Sequence, residues 1–210
     1  MDITLFISVS FLHLIALISP GPDFFFILNK SLSSNFKESL ISSIGIGLGI
    51  IIHCMGSIII ITSFEKYLSN TYFILGTFGA LYFIYIGFSG VLSKNKNDIK
   101  EQNKLTNRRK LDHFLEGFYV NISNVKVFIF FVSIFSGMMI GIGLKFKLMM
   151  SIYLSLTTSI WFIFLSFNLS MSKKYLLNKK IQNIITKISS FLMILIGISI
   201  LYQIWYQKIL

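Results

Sequence analysis

The chain has 210 residues and a formal charge of +11, yet only 13% of its residues are charged, while 54% are hydrophobic and 16% aromatic. Soluble domains carry roughly 25% charged residues, and a water-soluble chain of this size has too much surface to leave so few charges for it. The basic excess, 19 Lys and Arg against 8 Asp and Glu, can signal nucleic-acid binding, but its placement argues against that, because the basic residues fall between long apolar runs and not along one helix face.

A membrane helix needs about 20 mainly apolar residues. Six stretches qualify, at about 3–29, 39–63, 67–92, 115–142, 148–171 and 184–206. Runs this long without alternation are not barrel strands, and in lipid an uninterrupted apolar run satisfies its own backbone only as a helix. The expected fold is therefore all-α and polytopic, with six transmembrane helices in one integral membrane domain over residues 1–210. The first stretch has no Lys or Arg before Lys30, so it lacks the basic region of a signal peptide and reads as a retained helix.

With the N-terminus outside, 14 basic residues fall on the cytoplasmic side and 4 on the outer side, leaving Lys126 at depth. That satisfies the positive-inside rule and predicts both termini outside a cell (inner) membrane, with the surplus charge meeting anionic lipid. The basic loop at 93–113, rich in Asn and Gln, reads as a solvated cytoplasmic segment.

In chain order, the first candidate site is Ser19-Pro20-Gly21-Pro22-Asp23. Pro20 and Pro22 remove two backbone donors, and Pro22 disfavours the α conformation at Gly21. Such a break within a span is tolerated only where protein or a water-filled cavity takes up the freed groups. It reads either as a structural kink or as a broken helix whose half-helix ends line a polar pathway. Asp23 follows directly, and a carboxylate at depth needs a partner or water.

In the second stretch Gly45, Gly49 and His53 recur at four-residue spacing and Gly56 continues the stripe. Small residues so placed let a neighbouring backbone approach. His53 shares that face, as a packing residue or a protonatable group; His13 is a further candidate of the same kind. Cys54, the only cysteine, lies in an apolar setting and reads as a small buried hydrophobe. Gly76, Gly79, Gly87 and Gly90 repeat the packing pattern in the third stretch.

The fourth stretch holds Asn121, Asn124 and Lys126. On a regular helix Lys126 lies about 200° from Asn124, so the three converge only if the helix is irregular or the Lys side chain bends round; otherwise Lys126 snorkels to the inner interface. In the fifth stretch Thr157, Trp161 and Asn168 share a face, either lining a pore or packing within the bundle.

These segments together resemble the LysE/RhtB family of amino-acid exporters: Ser19–Asp23, then Gly45, Gly49 and His53, the run from Leu75 to Tyr82, Phe114–Phe118, Asn121–Lys126 and the last span with Gly197. The resemblance covers essentially the whole chain. Two departures are Val125, where the family usually has proline, and Ser190, where glycine is common. The resemblance implies proton-driven export of amino acids or similar small metabolites and two inverted three-helix repeats, which place the Pro20–Asp23 and Asn124–Lys126 segments in the first helix of each half, near a site between repeats.

The expected function is thus secondary active export across the cell membrane, with Pro20, Gly21, Pro22, Asp23, His53, Asn121, Asn124 and Lys126 on the pathway, Gly45, Gly49, Gly76 and Gly79 in helix packing, no cofactor and no metal site. The partners are a small-molecule substrate, an amino acid by resemblance, and the lipid bilayer; the glycine stripes permit a homodimer. The alternatives are export of another solute such as a metal cation, for which one Cys and three His offer no soft-metal cluster, and a non-transport assembly protein or membrane enzyme, for which no paired His, Asp or Cys stands at suitable spacing.

Overall fold

The computed structural model describes residues 3–64, 71–92, 109–139, 141–171 and 179–209. Most of the basic loop expected at 93–113 therefore lies outside the described residues. Those residues form eight α-helices and no strand: α1 (Ile3–Ile18), α2 (Pro22–Ser33), α3 (Phe36–Phe64), α4 (Thr71–Leu92), α5 (Lys110–Ile122), α6 (Val125–Met138), α7 (Leu144–Met171) and α8 (Lys179–Ile209).

Helices α3 and α7 are each long and apolar enough to cross a membrane. The pairs α1–α2 and α5–α6 reach that length jointly, but each is bent at its break, by 52° and 58°. Shorter apolar stretches occupy Gly76–Leu92 of α4 and Ser190–Tyr206 of α8.

Exposure follows the reverse of the water-soluble pattern. Ile7, Phe11, Leu14 and Ile18 of α1, Ile44, Leu48, Ile52, Met55 and Ile59 of α3, and Ile152, Leu156, Ile160 and Phe164 of α7 all face outward. Their spacing of three and four residues draws an apolar stripe down the outside of each helix. Meanwhile Ser31, Ser39, Ser42, Ser43, Ser57, Ser133, Ser155, Thr158 and Ser166 are buried. Outward stripes this extensive are stable only against lipid, where interior helix contacts are built from small and hydroxylated residues. The chain is a membrane protein.

The α3–α5 seam shows how that packing works. Side chains added at Gly45 and Gly117 would run into Phe114 O and Ser42 O, and one at Gly49 into the Asn121 side chain. Ser42 Oγ donates to His113 O at 2.9 Å, and the His53 ring, one turn beyond Gly49, meets Asn121 O at the other end of the seam. Against α7, Ser155 Oγ donates to Gly47 O at 2.7 Å, and Ser39 Oγ donates to Ser166 Oγ at 2.8 Å. Gly76 and Gly79 receive Ile204 and Ser133, so α4 lies against α8 and α6. Gly90 leaves room for the Ser190 hydroxyl, which accommodates serine at a position where glycine is common. Gly56 has nothing within 4 Å of the space a side chain would fill; it continues the sequence stripe without a neighbour.

Two apolar cores flank the breaks. One gathers Phe83, Phe130, Phe131, Ile134, Phe135, Met193, Ile196 and Ile200 from α4, α6 and α8. The other gathers Leu17, Phe24, Ile27, Leu28, Ile46, Phe162 and Leu169 from α1, α2, α3 and α7.

Several element ends differ from expectation, with α5 and α8 starting at Lys110 and Lys179, ahead of the expected 115 and 184. Helix α6 stops at Met138, short of 142, because Gly141 turns with φ +70°, a left-handed conformation that glycine adopts without strain. Helix α7 begins at Leu144, ahead of the expected 148, and Lys147 is buried near its start.

Candidate functional site

The first break comes from proline. Helix α1 ends at Ile18, Gly21 is extended (φ −153°, ψ −171°), and α2 restarts with Pro22 at its first position, where a missing N–H costs nothing. Asp23 is thus the second residue of α2 and lies buried.

The second break occurs without proline. Asn124 is extended (φ −82°, ψ 95°), and its side chain accepts the Lys126 backbone N–H at 3.1 Å. A capping Asn offers the chain a competing hydrogen bond and starts a new helix at Val125. The irregularity that convergence of Asn121, Asn124 and Lys126 requires is therefore present, with Val125 in proline's usual place.

The two breaks meet. Asn121 Nδ2 donates to Asp23 Oδ2 at 2.7 Å. The Asn124 amide also faces this carboxylate, but Asp23 Oδ1 completes no hydrogen bond. His53 Nε2 donates to Asn121 O at 2.9 Å, so His53 braces Asn121 from behind. Asn121 Oδ1, also without a partner, is packed against Gly49.

Lys126 does not snorkel to the interface. Its Nζ donates to Ser19 O at 2.8 Å and to Ala16 O at 3.4 Å, two carbonyls at the end of α1. A helix C-terminus carries partial negative charge, and a charged hydrogen bond to it is worth about 1.5–3 kcal/mol. The Lys126 side chain lies across Gly21, where an added Cβ would sit 3.3 Å from its Cδ and Nζ. Glycine here makes room for the lysine as well as freeing the chain.

A cavity with an empty volume of about 430 Å³, part of it open to the outside, lies at this junction between the two cores. Ser19, Gly21, Asp23, Asn124 and Lys126 line its polar side, with Leu17, Phe24, Ile50, Phe130, Phe131 and Phe162 opposite. His13 lines it too, and its Nε2 lies 3.0 Å from Thr158 Oγ1.

Of the other residues singled out in the sequence, Pro20 sits within the first break and Pro22 is exposed. Thr157 is half-buried and bonds Tyr153 O, and Asn168 is exposed and bonds Phe164 O. Neither lines the cavity; Thr158, one residue along and about 100° round the helix, is buried and meets His13. A second polar cluster escaped the sequence reading. Lys30 is paired with Glu116, and His113, nearly buried, lies with Nε2 3.7 Å from Glu38 Oε2 and Nδ1 3.7 Å from Glu116 Oε2. Among the described residues no three or more of His, Cys, Asp and Glu are arranged to hold a metal ion.

Two helices are broken inside a membrane protein, and their ends and opposite charges gather at a cavity, where irregular backbone in a membrane finds its partners. The LysE type translocator model matches residues 14–204, and the chain belongs to that family, a family of transporters and not of enzymes. The chain is similar to the threonine efflux protein of Salmonella typhimurium, 28% identical over 138 residues that cover 63% of this chain and 65% of the relative. It is 29% identical over 136 residues to the threonine efflux protein of Escherichia coli K12, with the same shares covered. The matched part thus spans a little under two thirds of those relatives. An uncharacterized membrane protein of Bacillus subtilis, YrhP, is 26% identical over 196 residues, 86% of this chain and 90% of the relative. No solved structure matches the chain significantly.

Proposed function

We propose that the protein is a secondary active exporter of amino acids or related small metabolites across the cell (inner) membrane, coupled to protons and working by alternating access. The observation that carries this reading is the pairing at the cavity of an incompletely bonded Asp23 carboxylate with a Lys126 ammonium held on backbone carbonyls. A zwitterion supplies the complement of each. Its ammonium, with three donors, satisfies Asp23 Oδ1, and its carboxylate draws Lys126 and the positive N-terminal end of α2. The matching order of the two breaks supports two inverted three-helix halves and six spans, with α1–α2, α3 and α4 in one and α5–α6, α7 and α8 in the other. The lysine-rich loops support both termini outside. The names of the threonine efflux relatives support an amino acid as substrate.

Asp23 is the proposed proton carrier, with His53 behind it. Loading proton and solute at one carboxylate in turn is the simplest coupling, because each excludes the other.

The test is efflux of a panel of amino acids from loaded proteoliposomes carrying the purified protein, with and without an imposed pH gradient. Gradient-dependent efflux of at least one amino acid supports the reading. Efflux equal to empty liposomes across the panel overturns it.

A further inference from the structure

His13 is held in one tautomer by its neighbours. The single proton of the Thr158 hydroxyl goes to Leu154 O at 2.8 Å, so the 3.0 Å contact between Thr158 Oγ1 and His13 Nε2 is a hydrogen bond donated by the ring. The Leu154 carbonyl, an acceptor only, also lies against this ring. Neutral His13 thus carries its hydrogen on Nε2, and Nδ1 is an acceptor. It is buried and has no partner.

An orphaned acceptor of this kind is costly inside a protein unless something supplies a donor. The His13 ring packs beside Phe130 and Phe131, with centroids 6.0 and 5.8 Å away, and neither offers one. His13 lines the same cavity as Asp23 and Lys126. Lys126 Nζ reaches Ala16 O, three residues or about 4.5 Å along α1 from His13. A solute held by its α-groups between Asp23 and Lys126 therefore has its side chain within reach of the His13 end of the cavity, beside Phe130 and Phe131.

We propose that His13 is a specificity-determining residue, whose Nδ1 accepts a hydrogen bond from a side-chain hydroxyl of a small amino acid held by Asp23 and Lys126, with Thr158 positioning the ring. The inference rests on the amino-acid export reading and adds to it the group that reads the side chain. A buried acceptor left without its donor disfavours an isosteric solute lacking the hydroxyl, by about 10- to 100-fold.

The experiment compares efflux of threonine with that of valine, in which a methyl replaces the hydroxyl, and of serine with that of 2-aminobutyrate. Loaded proteoliposomes carry equal amounts of wild type, His13→Phe, His13→Asn or Thr158→Val. The wild type is expected to favour the hydroxylated solute of each pair by tenfold or more. In His13→Phe that ratio falls toward one. His13→Asn, which can place an amide oxygen where Nδ1 stood, keeps most of it, and Thr158→Val, which releases the ring, loses part of it. A ratio unchanged in His13→Phe, or a wild type indifferent to the hydroxyl, overturns the role of His13 while leaving export intact. A wild type that exports no amino acid overturns the export reading itself.

Discussion

Asp23 and Lys126 occupy the same register position in two different helices. Each is the second residue of a helix that restarts after a break, behind Pro22 and Gly21 in one case and behind Val125 and Asn124 in the other. Opposite charges at equivalent positions give the cavity two poles from one repeated piece of backbone geometry. They are not spent on each other: Asp23 takes Asn121, and Lys126 takes the carbonyls of Ala16 and Ser19. Each charge is thereby held in place while remaining on the cavity wall.

That arrangement makes the two residues separable by mutation. Asp23→Asn keeps an acceptor for Asn121 Nδ2 and removes the charge, so the protein should reach the membrane at wild-type levels with efflux reduced at least about tenfold, a loss of roughly 1.4 kcal/mol of transition-state stabilisation. Lys126→Met strips the donor from two carbonyls and should lower both efflux and thermal stability, the latter by about 1–3 kcal/mol. Wild-type efflux in both variants, at matched amounts of protein, would remove the pair from the pathway.

The second break predicts an unusual tolerance. Val125 is the first residue of α6, Asn124 before it is already extended, and the first ladder bonds of α6 run from Val127 and Phe128 to Asn124 O. Proline fits such a position and prefers such a predecessor. Val125→Pro should therefore leave the melting temperature unchanged or raise stability by about 0.4–1 kcal/mol through the unfolded chain. Val127→Pro, which deletes the bond to Asn124 O, should cost about 1 kcal/mol. Equal damage from both would mean that α6 does not start at Val125.

This break also shows where the sequence stops being legible. The first break is written in proline, whose effect is local and nearly independent of context. The second is written in a capping asparagine, a residue that sits equally well on a polar helix face, and nothing in the order Asn121-Ile122-Ser123-Asn124 distinguishes the two. The packing face of α3 was readable because Gly45, Gly49 and His53 keep one face by spacing alone, though its partner α5 was not. Which of Thr157 and Thr158 turns inward was not, since one residue is 100° and the face is set by neighbours. The pairing of Lys30 with Glu116, 86 residues apart, depends on which helix ends lie together, and no local pattern carries that.

The Lys30 cluster joins the end of α2 to the start of α5, and with them the two proposed halves. The side chains of Lys30 and Glu116 are 11% and 25% exposed, so this pair is neither free in water nor sealed in lipid. Lys30→Met leaves Glu116 beside Glu38 and His113 without its ammonium and should destabilise the protein by about 1–3 kcal/mol, between the surface and buried limits. The reversed pair, Lys30→Glu with Glu116→Lys, should recover part of that loss in a thermal melt. Reversed and single variants of equal stability would show that the pair is incidental.

Within α3 and α5 some glycines hold a contact and Gly56 does not, which gives opposite signs for the same substitution. A methyl at Gly117 would run into Ser42 O, and one at Gly45 into Phe114 O. Both obstacles are backbone, and neither can move without separating α3 from α5. Gly117→Ala and Gly45→Ala should therefore open the seam that carries Asn121 and His53, with loss of folded protein and of the Asp23–Asn121 bond. Gly56 lies on the same helix with nothing within 4 Å, so alanine there adds no clash and relieves the helix penalty of glycine. Gly56→Ala should raise stability by about 0.5–1 kcal/mol, read as a higher melting temperature in the same detergent. Loss of stability at Gly56 equal to that at Gly117 would place an unseen neighbour, protein or lipid, against that face of α3.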